Sequence, residues 1–234
     1  VVAAADRFLS DSGAGRVFLV LRLTDLLRTG PNAVPVDQEA ARRALIRSRV
    51  DGMDAAIGRL LGIIEERGRT RETMVVLTAV HGQLLGEREA GWGAHRDRVD
   101  EGIIHVPLMI RWPGGGGGSK DLLVSATDLA PTVLAALGIT VPGSMSGFDL
   151  APARSRSTEW QRPIVALSPT GAVLRGTEWV YRSDRDGAGL WHLPGDPFQV
   201  MDLSARRPDV AEYCARALAA YLDPDWRRSS RSAR

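Results

Sequence analysis

Between residues 37 and 67 the apolar side chains Ile46, Val50, Met53, Ile57, Leu60, Leu61 and Ile64 recur at intervals of three and four. That spacing lines one face of a helix, with Gly68 as its stop and Gly52 as the point where an interruption would fall. Short runs of strand formers flank it. Residues 16–23 lie between Gly15 and the turn-rich Thr29-Gly30-Pro31-Asn32, and residues 74–79 follow the helix. Strands that are continuously apolar, alternating with helices, imply a parallel sheet covered on both faces, so an α/β fold is expected. Residues 107–112 add a strand, and 127–137 add a helix with Pro131 in its first turns and Gly138 at its end.

Beyond residue 151 the pattern shortens. Residues 163–168, 172–175, 178–183 and 190–193 read as brief strands, with Asp184-Arg185-Asp186-Gly187 as hairpin-turn chemistry between the last two. Residues 208–222 carry Val210, Tyr213, Cys214, Ala217, Leu218 and Tyr221 on one side of a closing helix. Two domains are therefore expected: 1–150, α/β, and 151–234, a small antiparallel subdomain with a helix and a basic tail.

At 234 residues and 44% hydrophobic, the chain can bury a full core. No apolar run approaches the ~18 residues that span a bilayer. A formal charge of +2 gives no case for a nucleic-acid binder, and the four arginines after Trp226 read as a solvated terminus. Lys120 is the single lysine, so the positive charge is almost all guanidinium, a group suited to carboxylate, phosphate or sulfate. The single cysteine, Cys214, excludes an intramolecular disulfide. The glycine run before Lys120 does not meet the order of a phosphate-binding loop. The opening Val1-Val2-Ala3-Ala4-Ala5 has no initiator methionine or signal-peptide pattern, so the chain reads as a piece of a longer protein.

Ligands of open parallel sheets bind beyond the carboxyl ends of the strands. Thr24 and Asp25 follow the first strand, Val80 and His81 the second. His95, Arg96, Asp97, Arg98, Asp100 and Glu101 occupy the polar connection to the third. Histidine beside arginines and carboxylates suits a metal or oxyanion site, and Glu87, Glu89, Asp97 and Asp100 could pair as acid and base. His105 and His192, between apolar neighbours, read as structural. No H-x-x-x-H, C-x-x-C or D-x-D spacing is present, so spacing alone assigns no metal site.

Several segments, in order, resemble the C-terminal half of a sulfatase, a member of the alkaline phosphatase superfamily. Residues 73–87, with Thr78-Ala79-Val80-His81-Gly82 at their centre, are similar to the family's T-S-D-H-G strand and loop. Glu101 through His105-Val106-Pro107-Leu108-Met109-Ile110-Arg111-Trp112-Pro113-Gly114 is similar to E-x-x-x-R-V-P-L-x-I-R-W-P-G. Ser125-Ala126-Thr127-Asp128-Leu129-Ala130-Pro131-Thr132 is similar to the S-x-x-D-L-A-P-T helix, with the Pro142 to Leu150 loop after it. Residues 50–60 and 190–203 also resemble family segments, and the likeness runs collinearly over residues 8–222.

The resemblance implies the C-terminal half of an alkaline-phosphatase-like parallel-sheet sandwich, followed by a small antiparallel sheet and terminal helix. It also implies hydrolysis of sulfate esters of a small molecule or glycan, with Ca²⁺ or Mg²⁺ as cofactor, and suggests an extracytoplasmic or periplasmic location. His95 and Arg96 match the basic positions that contact sulfate, and are the candidate catalytic and substrate-binding residues. His81 matches a metal ligand, whereas Val80 stands where the family has the metal aspartate. Leu27 stands where a histidine is expected, and the formylglycine motif C/S-x-P-x-R and the early aspartate pair are absent; both belong to the missing N-terminal half of the catalytic domain. An isolated chain of this kind is expected to be inactive. The alternatives are a non-catalytic homologue serving as a binding or structural module, and a related metal-dependent phosphoesterase.

Overall fold

The computed structural model describes residues 1–13, 15–24, 39–85, 98–116, 118–154, 162–185 and 187–223. In chain order the elements are α1 (Val2–Asp11), α2 (Glu39–Glu66), β1 (Val75–Thr78), α3 (Glu101–Ile104), β2 (Leu108–Arg111) and α4 (Leu129–Ala136). The antiparallel strands β3 (Ile164–Ser168), β4 (Gly171–Arg175), β5 (Trp179–Asp184) and β6 (Gly187–His192) follow, then α5 (Pro208–Leu222). The fold is α/β, with a small antiparallel sheet and a terminal helix. No helix among the described residues is long and apolar enough to cross a membrane.

Contacts group the elements into two compact units, one holding α1, α2, β1 and β2 and the other the remainder. In the first, α2 runs its 28 residues without a break at Gly52. It ends where Arg69 donates its amide to Ile64 at 3.1 Å and Gly68 to Glu65 at 2.8 Å, closing the last carbonyls. Arg67 reaches back to Asp6 of α1 at 2.5 Å and to Ser10 at 2.7 Å. Helix α1 is not among the sequence expectations, although Ala3-Ala4-Ala5 are the best helix formers.

Two expectations are corrected here. Residues 16–23 form no strand, and Phe18 and Val20 are 68% and 73% exposed. An apolar run becomes a strand only when neighbours complete its hydrogen bonds. Strand β1 pairs with β2 antiparallel, Val75 opposite Arg111 and Thr78 opposite Leu108, and β2 is its one partner among the described residues. The direction of this pair is thus not parallel: continuous apolarity reports burial, which either strand direction allows.

In the second unit β3 to β6 pair in sequence order. Side chains alternate between faces as the pleat requires. Ala172, Leu174, Tyr181 and Leu190 meet Cys214 and Leu218 of α5 on one face. Val173, Val180 and Trp191 meet Val99 and Ile104 on the other. Each side chain buried as fully as Leu190 contributes about 1.5–3 kcal/mol.

Candidate functional site

The turn after β1 holds the histidine expected at a strand end. Val80 is 89% exposed. The Nδ1 of His81 lies 2.8 Å from the Gly82 carbonyl. A carbonyl can only accept, so Nδ1–H is the donor in this bond. The Gly82 amide donates to the Ile103 carbonyl at 2.8 Å. A Cβ on Gly82 would stand 2.0 Å from the Gly102 carbonyl oxygen, so the backbone of the turn rests directly on α3 and no larger residue fits.

Helix α3 is itself tied to the four-stranded sheet. Asp100, buried at its N-terminus, receives Arg98 through two bonds of 2.5 and 3.1 Å and Arg182 of β5 at 2.8 Å. Glu101 takes Arg175 of β4 at 3.1 Å and lies 3.3 Å from His105 Nδ1. Asp100, a candidate acid or base by sequence, is therefore an ion-paired anchor. These pairs span 74 and 82 residues and leave no local pattern from which a sequence reading could find them. His105 is exposed beside Glu101, and His192 packs against the Trp179 ring at 4.7 Å.

His95 and Arg96, the candidate sulfate contacts, lie outside the described residues, as do Asp25, Leu27, Glu87, Glu89 and Asp97. Of the expected site residues, the structure therefore describes Thr24, Val80, His81, Arg98, Asp100 and Glu101. It brings the His81 turn and α3 together, and α3 follows the connection that carries His95 and Arg96.

A hard divalent cation needs six or more oxygens, several of them carboxylate. The turn offers one imidazole and the apolar Val80. No group of three or more His, Cys, Asp or Glu side chains among the described residues could hold a metal. The donor set described here does not fit Ca²⁺ or Mg²⁺.

The Ser125 to Thr132 segment has a structural role. Fully buried Asp128 accepts the Ser125 amide and the Phe148 amide, each at 2.8 Å, and pairs with Arg162, whose guanidinium lies over the Phe148 ring at 4.5 Å. Thr132 donates its hydroxyl to the Asp128 carbonyl at 2.6 Å and accepts the Leu150 amide at 2.9 Å. A Cβ at Gly147 would stand 1.9 Å from the Thr127 carbonyl oxygen, so the Pro142 to Leu150 loop closes on the helix only through a glycine. Further along, Asp202 accepts the Leu190 amide at 3.0 Å and the Ser204 amide at 2.8 Å. Burial works against its charge, but these bonds, one from the Ser204 hydroxyl and the field of Arg182 together hold its carboxyl below its ordinary value.

The model of the sulfatase family matches residues 32–139. Arylsulfatase K of Danio rerio is 30% identical over 187 residues, covering 73% of this chain and 35% of that protein. Arylsulfatase K of Bos taurus is 26% identical over 189 residues. The chain spans about a third of the length of these curated relatives. Among solved structures, a 2-O GAG sulfatase superposes with a TM-score of 0.67 at 20% identity, covering 81% of this chain and 44% of that one. The fold is thus that of solved sulfatases.

Proposed function

The chain belongs to the sulfatase family, and on that premise we propose that it forms the C-terminal part of the catalytic unit of a sulfuric ester hydrolase. The observation that carries this reading is the 2.8 Å bond from Gly82 to Ile103, which joins the strand-end histidine to the element that follows His95 and Arg96 in the chain. In this reading His95 and Arg96 hold the sulfate oxygens as cationic donors and stabilise the charge that develops on the leaving oxygen. His81, whose Nδ1–H is held by the Gly82 carbonyl, stands at the position that matches a metal ligand of the family. The substrate class is a sulfate ester of a small molecule or glycan, and the cellular site is extracytoplasmic. Residues 1–150 are assigned to the catalytic domain and 151–234 to the C-terminal subdomain, a division drawn from the change in sequence pattern near residue 151. No step is routed through a divalent cation, because the described residues do not supply its ligands.

A second reading is favoured by Val80, an exposed apolar side chain where a charged ligand is expected. In it the protein is a non-catalytic homologue that binds sulfated ligands.

Hydrolysis of a chromogenic sulfate ester by the complete polypeptide of the gene tests the first reading. His95→Ala and Arg96→Ala should each lower kcat/KM by about a hundredfold or more. Rates unchanged in both variants overturn the assignment, and sulfate binding without turnover supports the second reading. Faster cleavage of the matching phosphate ester makes the protein a phosphoesterase instead.

A further inference from the structure

At one end of the four-stranded sheet, the β3–β4 turn and the β5–β6 turn lie side by side. Gly171 pairs with Asp184, and Arg185 donates its amide to the Thr170 carbonyl at 3.1 Å. With residues 98–100 these turns bound an open polar cleft of about 360 Å³.

Arg98, Arg182 and Arg185 line this cleft with Asp100 and Asp184. Asp100 is shared by Arg98 and Arg182, and Asp184 takes the Arg182 Nε at 3.1 Å. Arg182 is held further by the Trp191 ring at 4.9 Å, so its guanidinium is fixed in orientation before any ligand arrives. Arg185, on the rim, pairs with no carboxylate among the described residues. Arg185 thus brings to the rim a guanidinium that no carboxylate among the described residues offsets. The Ser168 and Thr170 hydroxyls, 3.4 Å apart, add polar groups to the lining.

We infer that this cleft binds a tetrahedral oxyanion, a second anionic substituent carried by the substrate in addition to the sulfate that is cleaved. The inference rests on the hydrolase reading for the identity of the ligand. Arg98, which lines the cleft, follows Arg96 by two residues in the sequence. A guanidinium fork matches the oxygens of sulfate or phosphate in two bonds at once, which an ammonium cannot do. Strand pairing at Gly171–Asp184 and the Arg185 amide bond to Thr170 hold the backbone that carries these side chains, which lowers the ordering needed on binding.

The test is a titration of the chain with inorganic sulfate at constant ionic strength, read by calorimetry and by the Nε–H resonances of the arginines. Saturable shifts at Arg182 and Arg185 are expected, and Arg185→Gln should weaken sulfate binding about tenfold. Arg206→Gln, whose side chain faces the Met201 sulfur, should leave the affinity unchanged. Shifts that never saturate, or equal affinity in the Arg185→Gln chain, overturn the proposal. Titration with phosphate at the same ionic strength ranks the two oxyanions. The hydrolase reading fails separately, when His95→Ala and Arg96→Ala leave turnover intact while sulfate still binds the cleft.

Discussion

The buried carboxylate of Asp128 accepts the Phe148 amide at 2.8 Å, although the two residues stand twenty apart in the chain. One side chain thereby fixes the start of α4, the loop that returns over it and the Arg162 guanidinium. Asp128→Asn removes the charge that Arg162 pairs with and one amide acceptor. It should lower stability by about 3 kcal/mol, read as the urea midpoint at unchanged slope.

Gly82→Ala should destabilise the chain by about 1–3 kcal/mol, because its methyl carbon would meet the Gly102 carbonyl. Gly62→Ala is the control. That glycine faces open space inside α2, and the change should stabilise by about 0.5–1 kcal/mol. Thermal unfolding of both variants separates close backbone approach from helix propensity.

Val80→Asp should leave stability within about 0.5 kcal/mol, since the side chain is solvent-exposed. In the complete polypeptide the added carboxylate supplies a charge and a bond beside His81, and Ca²⁺ affinity by calorimetry should rise about tenfold. Unchanged affinity would mean that any bound cation is held elsewhere.

Burial between α5 and the sheet pushes the Cys214 thiol up, which lowers its thiolate fraction at neutral pH. Alkylation of the native chain should be about a hundredfold slower than in urea. Equal rates would place the thiol in solvent.

Because the folded carboxyl of Asp202 titrates lower than an ordinary aspartate, its contribution is complete above about pH 4 and is lost as the pH falls through the folded value. Protection of the Leu190 and Ser204 amides from hydrogen exchange, relative to free amides at the same pH, should fall in that acid window. In Asp202→Asn that fall should disappear.

The elements after residue 151 were legible because their signals are local: β3 to β6 carry alternation and hairpin chemistry, and α5 carries a face and Pro208 at its start. Residues 16–23 have equal strand composition but form no strand, since a strand is a property of pairs and its partners are not written in its own residues. Pairing direction escaped for the same reason: antiparallel β1 and β2 bury the same kind of side chain that parallel strands would. At the site, His81 was visible from its position after an apolar run. Its contact with α3 was not, because Gly82 and Ile103 meet across 21 residues that carry no shared period. The anchors Asp100 and Arg182 are separated further still.

The Gly82–Ile103 bond also bears on heredity. It ties together the two ends of the sequence that carries His95 and Arg96, so an inherited change at Gly82 acts on the anchorage, while one at His95 or Arg96 acts on the proposed chemistry.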